Sequence, residues 1–307
     1  MAGGGAAVGM ELGAGEVRLG YLRGGRLSDP VVRAIETSSA TALVDQLAAI
    51  AAGVRPVPDA VGLALSGVDL PLADVLLRKV LRKRLRLPVA VDSDGRAVAF
   101  AEAHDEGLRP SARHLVLLLV GERVRAGLVL DGHVYRGAHA GAGELGHAIV
   151  GLDLAAAVPA PMWFPQPGSF EFVASTHALD QLAAQASRVH PESVLARLRR
   201  EGRSTLGVEA AQGARAGDKA AARMFQIWGQ RLGIGVANAI NTLDPEEVVI
   251  AGAAALAGEL ILAPARRIAA SYVRPGLGEH TKIRLARHGE RGAVLGAALL
   301  ALDELSH

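Results

Sequence analysis

The sequence has no cysteine, which excludes disulfide bonds and thiolate metal sites and favours a reducing compartment. Aromatic residues make up only 3% of the chain, although half of its residues are hydrophobic. The core is therefore expected to consist mainly of Ala, Leu and Val. The apolar run HLVLLLV at 114–120 has the length of a strand, not of a membrane span. The N-terminus also lacks the basic region of a secretory signal, so we expect a cytoplasmic protein that does not associate with membranes.

The sequence also lacks an excess of charge of either sign, because 33 basic and 31 acidic residues give a formal net charge of only +2. This balance gives no reason to expect a nucleic-acid partner. The one basic run, RKVLRKRLR at 78–86, lies among apolar residues at helical spacing. It is typical of a solvated helix face, and an acidic partner is the less favoured alternative.

The 307 residues are enough for two domains, and two segments share one plan. VGMEL, a GAG turn and EVRLGYL read as strand, turn and strand. HLVLLLV, a GER turn and VRAGLVLDGHVY repeat this, with Asp131-Gly132 marking a further hairpin. The repetition indicates two related α/β halves.

The rest of the pattern alternates strands and helices, which favours an α/β fold with layered sheets. In the first half we predict a helix at 40–52, a strand at 60–65, the basic helix, a strand at 88–91 and a helix at 95–104, before a boundary loop at 105–113. In the second half we predict helices at 170–187, 192–200 and 211–242, the last interrupted at Gly217-Asp218. A buried strand (EEVVIAGAA), a helix and a closely packing apolar helix at the C-terminus follow.

The most informative stretch is GAHAGAGELGHAIV, residues 137–150. It places Glu144 and His147 three residues apart after a glycine-rich approach. A carboxylate and an imidazole on a tight loop can accept and donate hydrogen bonds to adjacent hydroxyls, as a sugar pocket requires.

These landmarks resemble the ROK family of bacterial sugar kinases and sugar-responsive repressors, in order and over nearly the whole chain. The GExGH signature of the family is matched in full by Gly143–His147. The remaining segments match in part: the DxGGT turn at Glu11–Gly15, the ND segment at Ser93-Asp94, the GTGxG turn at Gly121–Arg125, the GCLE segment at Gly168–Glu171 and the adenosine-side glycines at Ala251–Ala253.

The resemblance implies a two-domain, actin-like ATPase (ribonuclease H-like) α/β fold with the ligand cleft between the domains. We expect a small N-terminal domain at 1–112 and a large C-terminal domain at 113–291. The C-terminal helix at 292–307 is expected to pack back on the first domain.

On the sugar side, the resemblance implies Asp94 as the general base that takes the proton of the accepting hydroxyl. A helix cap is the alternative role for Asp94. Ser93 stands where the family has Asn, and Arg96 stands where many members have a second Asn.

The resemblance assigns Glu144, His147 and Glu171 to the sugar clamp. For Glu171 a plain first-turn helix acid would also suffice, and a lone histidine such as His147 is more often structural. Gly67, in the loop Ser66-Gly67-Val68-Asp69, resembles a further sugar-side position, although an ordinary turn is nearly as good an explanation.

The zinc site of the family is missing from this sequence. Its CxCGxxGC segment aligns with Met162–Ser169, where Met, Phe and Ser replace the cysteines and cannot form a tetrahedral site. We therefore predict no zinc and no other protein-bound metal, and packing by Trp163 and Phe164 instead.

The nucleotide side departs from the family at three elements. Its expected cofactor-binding residues are Glu11, Gly13, Gly121 and Gly252. Glu16 adds negative charge after the first turn, and in the second turn Arg123 and Arg125 replace glycines whose backbone would accommodate phosphate. Positive φ at these arginines would cost about 1–2 kcal/mol each. The preferred interpretation of GERVR is a charged hairpin tip.

The sequence thus predicts a carbohydrate-binding protein on a sugar-kinase scaffold, whose phosphotransfer is weak or lost. The alternative is an active ATP-dependent hexose kinase, glucokinase-like, with Mg-ATP as donor at a degenerate site. A DNA-binding repressor is disfavoured, because its helix-turn-helix precedes the first phosphate strand and this strand lies within the first dozen residues. A hexose ligand and a homodimer are implied by the resemblance.

Overall fold

The computed structural model describes residues 5–36, 39–67, 73–151, 165–205 and 207–305. They form two compact units. Unit 1 contains Met1–Arg113, Gly127–Ala142 and Arg287–His307, and unit 2 contains His114–Ala126 and Gly143–Ala286. The segment 127–142 thus belongs to unit 1, whereas the sequence placed it in the C-terminal domain.

The first part of the chain alternates strands and helices as its hydrophobic pattern predicts. The elements are β1 (Ala6–Leu12), β2 (Glu16–Arg23), β3 (Arg26–Leu27), β4 (Val31–Ala34), α1 (Ala40–Gly53), β5 (Ala60–Leu65), α2 (Ala73–Leu85), β6 (Val89–Ser93) and α3 (Asp94–Glu102). The short strands β3 and β4 lack a hydrophobic pattern of their own, and the sequence did not reveal them.

The remainder begins with a second pair of strands and continues mainly as helices. The elements are β7 (Leu115–Val120), β8 (Val124–Leu130), β9 (His133–Val134), α4 (Phe170–Ala174), α5 (Thr176–Val189), α6 (Val194–Arg200), α7 (Val208–Arg215), α8 (Lys219–Leu243), β10 (Glu247–Gly252), α9 (Glu259–Tyr272), β11 (Lys282–Leu285) and α10 (Gly292–Glu304). The single helix expected at 170–187 is wrong, because Ser175 ends α4 and caps α5 through its side chain.

The first sheet has the order β3-β2-β1-β5-β6, with β4 also pairing with β2. β1, β5 and β6 are parallel and in register, so that Leu12, Leu65 and Ser93 lie side by side. The carboxyl ends of three strands therefore meet at one edge of this sheet.

Helix α10 completes unit 1 by packing on β1, β5 and α3. Glycines make this approach possible, since a Cβ at Gly9, Gly62 or Gly296 would collide with backbone carbonyls of Val294, Ala297 and Ala97. The basic helix α2 buries Leu77 and Leu81, while Arg78 and Arg82 pair with Glu304. Its charged face is a solvated one, as the sequence predicts.

The second sheet has the order β11-β10-β7-β8-β9. Asp131 and Gly132 both have positive φ, 53° and 83°, and close the β8–β9 hairpin at the position that their Asp-Gly pattern predicts. In unit 2, α8 and α9 approach closely at Gly229 and Gly233. The core there contains Trp228, but most buried side chains in both units are Ala, Leu and Val.

Candidate functional site

The residues expected to do chemistry in unit 1 lie where β1, β5 and β6 end. Because Leu12, Leu65 and Ser93 are register neighbours, the turn containing Gly13, the loop containing Gly67 and the start of α3 at Asp94 follow the same sheet edge. Ligands of open α/β sheets bind at this end of the strands. Gly67 has φ 71°, and a Cβ there would meet no atom within 4 Å. Val68 and Asp69 lie outside the described residues.

Asp94 is the first residue of α3 and is 2% exposed. Its Oδ1 accepts a hydrogen bond from the amide of Gly95 at 2.7 Å. The helix is capped by Ser93 instead, whose hydroxyl accepts from the amide of Arg96 at 3.4 Å. Ser93 is therefore the N-cap residue, and Asp94 satisfies a further first-turn amide of the helix. Its role in proton transfer stays a prediction.

The first glycine turn is a tight link between β1 and β2. The Gly13 amide donates to the Glu16 carbonyl at 2.9 Å, and Gly15 has φ 78°. The Arg18 guanidinium lies 3.8 Å from the Glu11 carboxylate and 3.9 Å from that of Glu16. Sequence reasoning missed Arg18, although its place two residues after Glu16 on a strand puts both side chains on one face.

The second turn, at 121–123, is the charged hairpin tip that the sequence predicts between β7 and β8. Neither Arg123 nor Arg125 has positive φ, so the expected backbone strain does not arise. The Gly121 amide donates to the Arg123 carbonyl at 2.9 Å. The Val124 amide donates to Oε2 of Glu171 at 2.7 Å. Two of the amides at this tip are thus already hydrogen-bonded within the protein.

Glu171 lies in the first turn of α4 and is 4% exposed. The residues just before Glu171 pair with the segment that follows the GExGH motif. Ile149 and Ser169 form a β-bridge, and the Phe170 amide donates to the Ala148 carbonyl at 2.8 Å. The fold therefore joins the two sugar-side segments of unit 2. Met162, Trp163 and Phe164, which precede Glu171 in the zinc-like segment, lie outside the described residues.

Glu144 and His147 flank a short 3₁₀ turn at Leu145–His147. Gly143 enters this turn with φ 94°, and Gly146 packs on the Val124 carbonyl with no room for a side chain. Nε2 of His147 lies 3.7 Å from Oε2 of Glu144, and both side chains are exposed. They form an accessible acceptor–donor pair next to the hairpin tip.

The predicted adenosine-side glycine, Gly252, ends β10 with φ 77°. It is the register neighbour of Val120 on β7, and its backbone packs on the Val120 carbonyl. Ala251 is buried, and Ala253 begins a short 3₁₀ turn. Gly252, the last residue of β10, and Gly121, the residue after β7, consequently lie at one edge of the second sheet.

Helix α4 is held in place by two side chains of α8. Nε1 of Trp228 donates to the Ala174 carbonyl at 2.8 Å, and Arg231 donates to the Val173 carbonyl at 3.1 Å. Burial lowers the pKa of the Arg231 guanidinium from its ordinary value. The carbonyl end of the helix that carries Glu171 is thereby fixed.

The structure also reveals a buried charge cluster in unit 1 that sequence reasoning missed. The Asp92 carboxylate, 3% exposed, lies between the guanidinium groups of Arg96 and Arg136. The only signal in the sequence was Arg96 itself, at a position where the resemblance implies Asn.

Comparison with known proteins decides the family. The family model described as "ROK family" matches residues 27–304. The chain belongs to the ROK family.

Relatives include both kinases and regulators. The glucokinase of Halalkalibacterium halodurans is 28% identical over 79% of this chain and 72% of its own. The xylose repressor of Caldicellulosiruptor bescii is 26% identical over 80% of this chain, which spans only 59% of that protein. A ROK family glucokinase from Streptomyces griseus, solved with glucose and AMPPNP, is 26% identical with a TM-score of 0.76, covering 97% of this chain and all of that one.

These matches establish the actin-like two-domain α/β fold and a sugar-kinase or repressor type of scaffold. Among the residues that the structure describes, no helix is both long and apolar enough to cross a membrane.

Proposed function

We propose that this ROK-family chain binds a carbohydrate, a hexose in the first instance, and transfers phosphate from ATP weakly or not at all. The proposal rests on a sugar side whose expected residues are present and on a nucleotide side whose amides are engaged elsewhere.

The observation that supports weak or absent phosphate transfer is the hydrogen bond of the Val124 amide. A phosphate turn binds oxygens through free backbone N–H groups. Here the Val124 N–H points to the Glu171 carboxylate at 2.7 Å, and the Gly121 N–H closes the turn on Arg123. The buried carboxylate also brings negative charge beneath the tip, which opposes phosphate. These two engaged amides support the proposal that the tip holds the phosphates of ATP weakly or not at all.

The sugar side is chemically suited to a polyol. Glu144 supplies acceptors and His147 supplies a ring nitrogen on an exposed turn, while Asp94 and Ser93 lie at the sheet edge of unit 1. Carboxylates and imidazoles left facing solvent are satisfied when hydroxyls arrive, which discriminates against ligands without them. The glucose bound by the Streptomyces griseus relative supports glucose as the first ligand to try.

The alternative is an active hexose kinase, and the position of Asp94 favours it. Asp94 begins α3 directly after β6, at the sheet edge where ligands of such folds bind, so that it could remove the proton of a hydroxyl placed before it. Under this alternative Asp94→Asn abolishes turnover and leaves sugar binding largely intact.

The deciding experiment is calorimetric titration of the purified protein with Mg²⁺ and AMPPNP, with and without saturating glucose. We expect glucose binding that does not change with nucleotide or Mg²⁺, and no nucleotide heat. Nucleotide binding strengthened by glucose, together with turnover that Asp94→Asn removes, would establish the kinase instead. Absence of glucose and other hexose binding would overturn the sugar-binding proposal.

A matched variant tests the hairpin tip directly. Restoring the family residues with the double change Glu122→Thr and Arg123→Gly is expected to strengthen AMPPNP binding, because a positive-φ glycine turn then becomes accessible. The double change Glu201→Thr and Arg203→Gly, at an exposed ion pair of the same residue types, is the control. Equal nucleotide affinity in both variants would show that the tip sequence does not limit binding.

A homodimer and a cytoplasmic location remain predictions that follow from the family. Sedimentation velocity checks the first: a dimer has about twice the 31.7 kDa of the chain.

A further inference from the structure

The Asp92 carboxylate is the centre of a buried charge cluster. Its Oδ1 lies 3.1 Å from Nη1 of Arg96 and accepts the Ser93 amide at 2.9 Å. Its Oδ2 lies 2.8 Å from both Nε and Nη2 of Arg136. One carboxylate thus binds an arginine of α3 and an arginine that follows β9.

The other terminal nitrogen of Arg96 binds the loop 136–142 of unit 1. Its Nη2 donates to the carbonyls of Ala140 and Ala142, at 2.5 Å and 3.2 Å. The Ala142 amide donates to the Arg136 carbonyl at 3.0 Å, which closes the loop 136–142 on itself. Both ends of this loop are therefore held by Asp92, one through Arg136 and the other through Arg96.

Part of this loop has an unfavourable backbone conformation, so the bonds from Arg96 to its carbonyls add to the single Ala142–Arg136 backbone hydrogen bond in holding its shape. Ala140 has φ 56°, a conformation that disfavours residues with a Cβ, and Gly137 has φ 73°. Small side chains in AHAGA offer little apolar surface to pack, so the conformation depends on hydrogen bonds.

The loop ends where the sugar-side segment begins. Ala142 is the last residue of this segment of unit 1, Gly143 follows with φ 94°, and Glu144 comes next. We propose that Asp92, Arg96 and Arg136 form an arginine clip that fixes the loop 136–142, and that Arg96 is thereby a positioning residue for sugar binding by Glu144. This inference rests on the proposed sugar-binding function.

Arginine suits this position better than the asparagine that the family resemblance implies. Its planar guanidinium offers several donors in a fixed geometry, so one side chain bridges a carboxylate and two carbonyls. It is 6% exposed and its two terminal nitrogens, Nη1 and Nη2, donate to protein acceptors, so it supports the site instead of contacting the sugar. Because Asp92 directly precedes Ser93-Asp94, the clip also ties the loop to the segment that holds Asp94.

The test compares Arg96→Ala, Arg96→Lys and the control Arg82→Ala, whose arginine pairs with Glu304 at the surface of unit 1. Lysine keeps a cation beside Asp92, which protects the fold, but it cannot bridge all three acceptors. Glucose affinity is measured by calorimetry, and amide hydrogen exchange of residues 136–144 is followed without sugar.

We expect both Arg96 variants to bind glucose about tenfold more weakly or worse, since ordering one or two loop residues has a free-energy cost of that size. Exchange is expected to accelerate at 136–144 and not across the rest of unit 1, and Arg82→Ala is expected to behave like the wild type. If Arg96→Lys exchanges faster at 136–144 and binds glucose more weakly, while its denaturation midpoint is unchanged, then Arg96 acts by positioning the loop and not by stabilising the whole protein.

Two results would overturn the clip: wild-type glucose affinity in both Arg96 variants, or exchange at 136–144 that stays as slow as in the wild type. If the wild-type protein binds no hexose, the proposed function fails and the sugar-positioning role of Arg96 fails with it. The exchange data would then still decide whether the clip holds the loop.

Discussion

At the residue scale, the two glutamates of the sugar side differ in what holds them. Glu171 is buried and accepts the Val124 amide, whereas Glu144 is exposed beside His147. A buried acceptor that satisfies a backbone amide contributes to folding as well as to any ligand. Glu171 does lie in the first turn of α4, as the helix alternative expects, and its bond to the Val124 amide is a second structural role. A sugar contact would come in addition to both.

This difference predicts separable effects of two alanine substitutions. Glu171→Ala leaves the Val124 amide without its acceptor and should lower the free energy of unfolding by about 1–3 kcal/mol. Glu144→Ala should leave stability within about 0.5 kcal/mol of wild type, while weakening glucose binding. Urea denaturation and calorimetry measure the two quantities. Equal stability losses in both variants would contradict this account.

His104 gives a pH dependence that can be assigned to one residue. It is 3% exposed, and its Nδ1 lies 2.7 Å from the Phe100 carbonyl. Burial lowers its pKa from the ordinary 6.5, an effect that the Phe100 hydrogen bond opposes. The unfolded chain thus takes up the proton first, and stability falls as the pH drops below about 6.5.

We expect His104→Gln to lose this part of the pH dependence. The difference in unfolding free energy between wild type and variant should shrink from pH 7.5 to pH 5, as measured by urea denaturation across that range. His133→Gln, at an exposed hairpin position, is the control and should leave the slope unchanged. A wild-type slope in His104→Gln would assign the effect to other groups.

At the element scale, helix α10 shows how small residues set the distance between layers. Gly9 of β1, Gly62 of β5 and Gly296 of α10 each lie against a backbone carbonyl of their neighbour. The hydrophobic pattern correctly predicted that this helix packs closely, because small residues fill GAVLGAALLALDEL. The sequence did not show which glycines meet which backbone atoms, since that depends on strand order.

Gly296→Ala is accordingly expected to destabilise the protein by about 1–3 kcal/mol through overpacking. Gly53→Ala is the matched control: it lies at the end of α1, where a Cβ meets nothing within 4 Å. Since alanine favours helix more than glycine does, this control should be neutral or stabilising. Chemical denaturation of both variants tests the contrast, and similar midpoints would refute the packing argument.

Elements with a strong pattern could be predicted from the sequence, and those without one could not. The strand–turn–strand pairs β1–β2 and β7–β8 and the break at Gly217-Asp218 follow from alternation and turn residues, and the structure contains them. Strand β11 was missed because KIRL is short and only half-buried. The site residues could be proposed from motifs. The Glu171 bond to the Val124 amide, the Asp92–Arg136 pair and the bonds from Arg96 to the loop carbonyls join residues more than 40 positions apart, and no local pattern encodes them.

At the scale of the whole molecule, neither unit is a continuous piece of chain. The chain passes between units after Arg113, Ala126, Ala142 and Ala286. Unit 1 receives α10 from the far end of the sequence, and this helix covers β1 and β5 with buried residues such as Val294 and Ala298.

A fragment of residues 1–113 is therefore expected to remain unfolded, because it lacks the layer that covers its sheet. Circular dichroism and one-dimensional NMR check this against the full chain in the same buffer. Adding a peptide of residues 287–305 in excess should restore some ordered signal. A fragment that unfolds cooperatively without the peptide would show that α10 is dispensable for unit 1.

Trp228 gives the chain a natural optical reporter. The sequence holds two tryptophans, and this one is 1% exposed with its indole bonded to the last residue of α4, the helix of Glu171. Replacing Trp163 with Phe leaves Trp228 as the only tryptophan, shielded from water and in contact with the sugar-side helix. Emission from a single indole can then follow ligand binding continuously, without a label and at concentrations far below those that calorimetry requires.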